Sequence, residues 1–281
     1  MEIIDAHHHL WDRGRFAYPW LSQIARLDRD FLLPEYESIA RAVGIQRSVF
    51  VQADTDPRHG LQEARWALSL ATEPGPLSAV VAWAPIEDPG LPSYLEQLAG
   101  PPGLKGIRRL IQAEPDPGFC ARSPFVEGVR RLAPLGLSFD LCLYPHQLPA
   151  AIDLVRAVPE VSFVLDHLGK PRVREKVLDP WRDQIRRLAA LENVTCKLSG
   201  LATEADWEGW RPADLRPYLD VVVEAFGFAR LMFGSDWPVS TLAVSYPRWL
   251  EVVEELTSGI SAADRQALFS GTARRIYRLD P

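Results

Sequence analysis

The segment DAHHHLWD at residues 5–12 places three consecutive histidines near the start of the chain. If a β-strand forms here, side chains two residues apart point to the same side, so His7 and His9 face one way and His8 faces the other. Two imidazoles on one side of a strand suit a metal ion, and a carboxylate such as Asp236 would complete a ligand set typical of Zn²⁺. The alternative is that these histidines only hydrogen-bond the backbone.

Short apolar runs that indicate β-strands alternate with amphipathic stretches that indicate helices along the whole chain. The eight predicted strands cover residues 2–7, 47–53, 77–84, 104–110, 137–144, 162–167, 194–199 and 231–236. Eight strand–helix repeats favour an α/β fold, the (β/α)₈ TIM barrel, whose usual size is about 250 residues. A doubly wound sheet is the alternative, because its elements alternate in the same way. No linker or composition break interrupts the pattern, so residues 1–281 are predicted to form a single domain.

The active site of such a barrel lies at the carboxyl ends of the strands. The polar or aromatic residues that the predicted strands place at these ends are His7, His9, Gln52, Trp83, Arg108, Tyr144, His167, Lys197 and Asp236. Lys197 is expected either to reach the barrel mouth or to form a buried ion pair, because an unpaired charge is costly to bury. The segment 13–36 is longer than an ordinary loop after a barrel strand, and we expect it to cover this end.

Tryptophans near the predicted site suit the face of a sugar ring. Trp11, Trp83 and Trp237 are predicted to form an apolar wall there, with packing in the core as the alternative for each. Gln52 and Tyr144 are expected to contact the substrate as well, since they stand at the ends of the second and fifth predicted strands.

Composition and charge narrow the range of partners. The chain has 31 Lys and Arg against 37 Asp and Glu, a net charge of −6, and shows no basic stripe, which argues against a nucleic-acid partner. It has no apolar run long enough for a membrane helix and no signal-peptide pattern, so we expect a cytoplasmic protein without membrane contact. The three cysteines, Cys120, Cys142 and Cys196, are expected to be buried and reduced. The partner class that remains is a small-molecule substrate. The sequence leaves open whether the protein forms a homo-oligomer.

Four motifs, DAHHHLWD, GIR, VLDHLGKP and FGSDWPV, follow one another along the chain. In this order and at these intervals they resemble the amidohydrolase superfamily, in particular the amidohydrolase-2 branch of TIM-barrel lactonases. That branch includes L-fuconolactonase, L-rhamnonolactonase, 4-sulfomuconolactone hydrolase and 2-pyrone-4,6-dicarboxylate lactonase. The resemblance implies an enzyme that opens a small-molecule lactone, here a sugar aldonolactone, with water.

The resemblance also implies roles for individual residues. His7 and His9 match the metal ligands of the first strand, and His167 matches the histidine of the sixth strand. Asp236, already a candidate metal ligand, matches the aspartate of the last strand that acts as general base on the attacking water. Arg108 matches the arginine of the GIR motif and is expected to face a carboxylate or hydroxyl group of the substrate.

One divalent metal ion, Zn²⁺, is the cofactor that the resemblance implies, although the pyrone-dicarboxylate lactonase works without one. Without a metal, the histidines together with Lys197 or Arg108 would polarise the lactone carbonyl. His146, two residues beyond Tyr144, is a further candidate ligand, with an ordinary loop position as the alternative. Two other functions stay open: a metal-dependent decarboxylase similar to aminocarboxymuconate semialdehyde decarboxylase, and a barrel that binds without catalysis.

Overall fold

The computed structural model describes residues 2–98, 100 and 102–279. Eight parallel β-strands form one sheet in chain order. They are β1 (Ile4–His8), β2 (Arg47–Val51), β3 (Leu77–Ala82), β4 (Leu104–Ile107), β5 (Ser138–Leu141), β6 (Phe163–Leu165), β7 (Val194–Leu198) and β8 (Leu231–Phe233). Each overlaps one predicted run, and the chain after β1 adjoins the chain after β8, since the N–H of His9 donates to the carbonyl of Trp237 (2.7 Å). The predicted (β/α)₈ barrel is confirmed, and the doubly wound sheet is excluded.

Helices occupy the connections between the strands and surround the sheet. They are α1 (Leu33–Ala42), α2 (Gly60–Leu70), α3 (Leu91–Leu98), α4 (Ser123–Arg130), α5 (Leu148–Ala157), α6 (Trp181–Ala189), α7 (Pro212–Phe226), α8 (Tyr246–Leu256), α9 (Ala262–Gln266) and α10 (Thr272–Tyr277). In α8, the residues Trp249, Val253 and Leu256 recur at steps of four and three and are buried, as expected of a helix that packs one face on a sheet. None of the helices in the described residues is both long and apolar enough to cross a lipid bilayer.

The barrel interior has its own apolar core. Ile4 and Ala6 of β1 pack there with valines of the neighbouring strands, such as Val49 of β2. Tyr277 of α10 enters the same cluster, so the last helix closes the amino-terminal end of the barrel. Its hydroxyl reaches the carboxylate of Asp140 on β5 at 3.3 Å. The opposite end of the barrel, at the carboxyl ends of the strands, is not covered by this helix and is where the functional site is expected.

A β-bulge in β1 sets the direction of the histidines. Asp5 pairs with Ser48 and His8 pairs with Phe50, so β1 uses three residue steps where β2 uses two. The extra residue re-aims the side chains that follow it. His8 points outward and stacks on Tyr36 of α1, with the ring centroids 3.8 Å apart, whereas His7 and His9 point inward, on one side of the chain as predicted.

The three cysteines are buried free thiols, as predicted. Burial raises the pKa of Cys142 to about 11, so this thiol is protonated at neutral pH. Burial also raises the pKa of Cys120, to about 12. None of these side chains has the lowered pKa of a nucleophilic cysteine.

Candidate active site

Four predicted site residues converge at the carboxyl end of the barrel. Nε2 of His7 lies 3.2 Å from Nε2 of His9, and Oδ1 of Asp236 lies 3.4 Å from the second of these nitrogens and 3.8 Å from the first. Nε2 of His167 lies 3.9 Å from the same oxygen. All four residues are at most 5% exposed, so their polar atoms face one another in a site that is largely shielded from water.

The backbone around Asp236 fixes its carboxylate. Asp236 has a left-handed backbone (φ 55°), and its N–H donates to the carbonyl of His7 (2.8 Å). A Cβ on Gly200, after β7, would lie 2.9 Å from Oδ2 of Asp236 and 2.6 Å from Nδ1 of His167, so only glycine leaves room for both side chains. Burial raises the pKa of Asp236, but His167 and His9 outweigh it and hold the pKa below its usual value. The carboxylate is therefore ionised at neutral pH.

His7, His9 and Asp236 form a group that fits a metal ion. Ligands placed tetrahedrally around Zn²⁺, with bonds of about 2.0–2.1 Å to nitrogen, lie roughly 3.3–3.4 Å apart. Two of the three distances within the group, 3.2 Å and 3.4 Å, are close to this value. Two imidazoles and a carboxylate are also a ligand chemistry that zinc accepts.

A second group, His7, Asp166 and His167, is also compact enough for a metal ion. Its carboxylate is already paired, because Asp166 lies 3.0 Å from Nη1 of Arg108 and 3.1 Å from Nζ of Lys197. Burial raises the pKa of Asp166, but Lys197, His7 and Arg108 outweigh it and hold the pKa well below its usual value. A carboxylate shared between two cations is a poor metal ligand, so the group that contains Asp236 is the better candidate.

His7 has a polar neighbour for either neutral form of its ring. Its Nδ1 lies 3.2 Å from Oδ1 of Asp166 and 3.2 Å from Nζ of Lys197. With the proton on Nδ1, this N–H lies beside the Asp166 carboxylate, and the lone pair of Nε2, 3.4 Å from Nη1 of Arg108, is available to a metal ion. With the proton on Nε2, the ring accepts from Lys197 and donates to His9. Burial, together with the charge of Lys197, holds the pKa of His7 well below its usual value, so the ring is neutral.

Lys197 lies inside the barrel and not in the wall of the cavity described below. Its Nζ is 2.5 Å from Oδ2 of Asp140 and 3.1 Å from Oδ1 of Asp166. Burial lowers the pKa of Lys197, but the two carboxylates outweigh it, so the ammonium stays charged. Of the two expectations for Lys197, the structure shows the buried ion pair. Together with Arg108, these residues form a buried ion cluster of two positive and two negative charges.

The segment after β6 forms a left-handed turn. The residues His167, Leu168, Gly169 and Lys170 all have positive φ, between 50° and 69°. A left-handed backbone costs roughly 1–2 kcal/mol for each residue other than glycine, so the surrounding structure must stabilise this turn. Trp181, the first residue of α6, contributes by donating from Nε1 to the carbonyl of Leu168 (2.8 Å). The turn places both His167 and Lys170 in the wall of one cavity.

The site opens into a cavity of about 240 Å³, called here the inner cavity. Its wall includes His9, Arg108, His167 and Asp236 from the predicted site, and Trp20, Ile24, Gln112 and Lys170 in addition. Pockets for drug-sized molecules measure about 300–1,000 Å³, so this cavity suits a smaller molecule. Trp20 and Ile24 belong to the segment 13–36, which covers part of the mouth as expected.

Trp11 and Trp237 lie in the core and not in the wall of the inner cavity. Both contact Phe31, with ring centroids 5.0 Å and 5.4 Å away, and Trp11 donates from Nε1 to the carbonyl of Arg29 (2.6 Å). Core packing was the alternative considered for both tryptophans, and the structure shows this alternative. Trp20 is the tryptophan in the wall of the inner cavity. The sequence analysis did not select it, although it falls in the segment 13–36, whose unusual length already indicated a role near the site.

The other predicted substrate contacts also lie outside this wall. Gln52 is buried, and its carbonyl accepts from Nη2 of Arg108 (2.5 Å). Trp83 packs beside the start of α2. Tyr144 and His146 lie farther out with nearly parallel rings, whose centroids are 6.3 Å apart. His146 belongs to neither of the metal-fitting groups found among the described residues.

Three further residues of the site were not singled out in the sequence. Lys170 and Asp166 both fall within the quoted motif VLDHLGKP, and Asp166 directly precedes His167. Asp140 lies in an apolar strand, as Lys197 does. Two opposite charges in separate apolar strands were a signal for a buried pair, because neither is stable inside a barrel alone.

The match to a known family agrees with this geometry. Residues 4–279 match the protein family described as Amidohydrolase. The chain belongs to the amidohydrolase family. It is 39% identical to the L-fucono-1,5-lactonase of Burkholderia multivorans, over 98% of this chain and 96% of that protein. The prediction of a hydrolytic enzyme of this family is confirmed.

Solved structures show the same relationship. An amidohydrolase from Burkholderia multivorans, whose crystal structure contains bound zinc, is 38% identical and superposes with a TM-score of 0.91 over the full length of both chains. A protein from Pseudomonas putida described as a candidate 2-pyrone-4,6-dicarboxylic acid hydrolase is 27% identical, with a TM-score of 0.78 over 100% of this chain and 98% of that one. This amidohydrolase therefore shares its whole fold with zinc-containing and lactonase-type relatives.

Proposed function

We propose that this amidohydrolase hydrolyses the ring ester of a small lactone, in the first instance a sugar aldonolactone. The observation that supports this most is the convergence of Asp236 with His7, His9 and His167 beside the inner cavity. The relative named as a lactonase supports the same class of substrate. The small volume of the inner cavity and the indole of Trp20 in its wall suit one sugar ring.

Asp236 is proposed as the general base. Its ionised carboxylate accepts a proton from the attacking water while the water oxygen bonds to the lactone carbonyl carbon. The bond between this carbon and the ring oxygen then breaks, and Asp236 returns the proton to the leaving oxygen. One water is consumed, the product has a carboxylic acid and a hydroxyl group, and Asp236 is ready for the next cycle.

His7, His9 and Asp236 are proposed to hold one divalent metal ion, zinc. When bound, the ion supplies a positive charge that polarises the ester. The zinc found in the relative from Burkholderia multivorans supports this choice of metal. The Asp166 carboxylate, 3.2 Å from Nδ1 of His7, would favour the form of the ring that keeps its proton on Nδ1 and so can bind the ion through Nε2.

Arg108 and His167 are proposed to contact the substrate. Nε of Arg108 is buried and has no hydrogen-bond partner among the described residues, so it is free to donate to a carbonyl oxygen. Burial lowers the pKa of His167 to about 4, so the imidazole is neutral. Its Nδ1 forms a hydrogen bond with the hydroxyl of Ser199 (2.9 Å). One donor to a developing oxyanion is worth about 2.7–4 kcal/mol. Lys197 contributes by positioning His7, since it lies too deep to touch a ligand.

A pH-indicator assay of aldonolactones with the purified protein tests this proposal. The panel includes L-fucono-1,5-lactone, the substrate in the name of the relative. We expect saturable release of one proton for each ring that opens. Release of CO₂ from carboxylated substrates without any lactone opening would favour the decarboxylase, and no response to either would favour the binding barrel. Either result would reject the proposal.

A further inference from the structure

A second cavity adjoins the inner cavity at the barrel mouth. This cavity, called here the outer chamber, measures about 400 Å³ and shares Lys170 and Thr203 with the inner cavity. Its wall comes from the loops that follow β5, β6 and β7. A ligand whose ring occupies the inner cavity can therefore extend past Lys170 into the outer chamber.

The outer chamber is positively charged, although the chain as a whole has a net charge of −6. Its wall contains three cations, Lys170, Arg172 and Arg174, against two carboxylates, Glu175 and Glu204. Arg172 and Glu175 lie 3.8 Å apart in a loose, exposed pair. Lys170 and Arg174 form no side-chain hydrogen bond and no ion pair with any residue in the described part of the chain. Among the described residues Arg174 has no partner carboxylate, and Lys170 interacts electrostatically with Glu204 without forming an ion pair. The cations of this wall outnumber its carboxylates, which suits it to an anion.

Two aromatic rings flank these cations. Tyr144 is 40% exposed and Trp207 is 44% exposed, and they are two of the five exposed large apolar side chains in the described residues. Nζ of Lys170 lies 5.3 Å from the centroid of the Tyr144 ring, and Nε1 of Trp207 donates to the carbonyl of Thr203 (2.8 Å). Fixed aromatic faces beside cations suit the carbon skeleton of an organic acid.

The left-handed turn after β6 links the outer chamber to the catalytic residues. The turn that places His167 beside Asp236 ends at Lys170, whose N–H donates to the carbonyl of His167 (2.8 Å). Lys170 itself has φ 50°. An unfavourable backbone conformation at a non-glycine residue is typical of functional sites. The left-handed turn thus positions both His167, which is a proposed substrate contact, and Lys170, the cation at the boundary of the two cavities.

We propose that the outer chamber is a carboxylate-binding site, with Lys170 and Arg174 as the cations and Tyr144 and Trp207 against the carbon chain. This inference rests on the proposed function, because the carboxylate has two possible sources there. It is either a second acid group on the lactone or the acid group that ring opening frees. In both cases the outer chamber draws a negative charge away from the carboxylate of Asp236.

Calorimetric titration of the intact protein with D-glucitol, D-gluconate and D-glucarate tests the inference without any turnover. These six-carbon chains differ in having no, one or two carboxylates. We expect D-glucarate to bind at least about tenfold more tightly than D-glucitol, since hydrogen bonds to charged groups are the stronger ones. Arg174→Gln and Lys170→Met should each lower the affinity for D-glucarate about tenfold. Arg187→Gln is the matched control, because Arg187 is exposed on α6 and lies in the wall of neither cavity.

The two sources give different patterns, and each supports the inference. Loss of D-gluconate affinity in Arg174→Gln indicates the acid that ring opening frees, whereas loss of D-glucarate affinity alone indicates a second acid group on the lactone. Equal binding of all three compounds, no binding of any, or equal effects of Arg174→Gln and Arg187→Gln would overturn the inference. Tight acid binding without lactone hydrolysis would reject only the proposed function.

Discussion

Nε2 of His7 lies 3.2 Å from Nε2 of His9, a separation that suits two ligands of one metal ion. We expect His9→Gln to lower zinc affinity at least about 100-fold, since loss of a group that merely orients a ligand already costs roughly 10–100-fold. Metal analysis after dialysis at a fixed free zinc concentration measures this effect. Activity should fall in parallel when a chelator removes the metal from the native protein.

His8→Gln is the matched control for this prediction. It removes an imidazole from the same strand, but His8 points away from the site and stacks on Tyr36. The control should therefore keep the zinc affinity of the native protein. Equal loss of zinc from His8→Gln and His9→Gln, or full activity in a zinc-free native protein, would show that the assigned ligand set is wrong.

The buried ion cluster predicts a large effect on stability. Lys197→Met leaves Asp140 without its nearest cation and Asp166 with only Arg108. Removal of one partner from a buried ion pair typically costs about 3–5 kcal/mol, and we expect the free energy of unfolding to fall by this amount. Denaturant titration measures it.

Lys176→Met provides the comparison for Lys197→Met, because Lys176 is exposed. A surface substitution of this kind usually changes the free energy of unfolding by less than about 0.5 kcal/mol. If the two variants were equally stable, the cluster would contribute nothing to the fold, contrary to its burial and its short distances.

The fold was predictable because each strand of this parallel sheet is buried on both faces and so appears as a short apolar run. The ends of the strands were less predictable. The run 231–236 extends three residues beyond Phe233, because the chain leaves the sheet there and turns the side chain of Asp236 into the site. Alternation predicts that His7 and His9 share one side of the strand, but their inward direction depends on the bulge after Asp5, which nothing in the sequence indicates.

The candidate site was predictable where it depends on strand order, and less so where it depends on backbone conformation or on partners from other strands. The left-handed turn at HLGK has three residues other than glycine with positive φ, which no local preference favours. Lys170 therefore went unnoticed. Lys197 was ambiguous because its partner Asp140 lies 57 residues away in the sequence.

Glu63 of α2 predicts a dependence of stability on pH. It is 1% exposed, and burial raises its pKa from 4.5 to about 8. Between these values the unfolded chain has lost a proton that the folded protein keeps, so this residue makes folding less favourable as the pH rises through the window. Because one pKa unit is worth about 1.4 kcal/mol, Glu63→Gln should gain at least about 1.4 kcal/mol over the native protein between pH 5 and pH 8.

Denaturant titrations of both proteins at these two pH values measure the gain. Glu73→Gln removes an exposed carboxylate just after the same helix and serves as the control. The stability of this control should follow that of the native protein at both pH values. If the stability of Glu63→Gln also followed that of the native protein at both pH values, Glu63 would be ionised in the folded protein.

The turnover number of Asp236→Asn tests the central claim most directly. Asparagine keeps the size of the side chain but accepts no proton, and a general base typically contributes 10²–10⁴-fold, so we expect kcat for lactone opening to fall by about 10²-fold or more. The melting temperature should change little, and Asp183→Asn, the same replacement at an exposed position on α6, should keep the native kcat. A native kcat in Asp236→Asn would contradict the account, because the water would then be activated by another group.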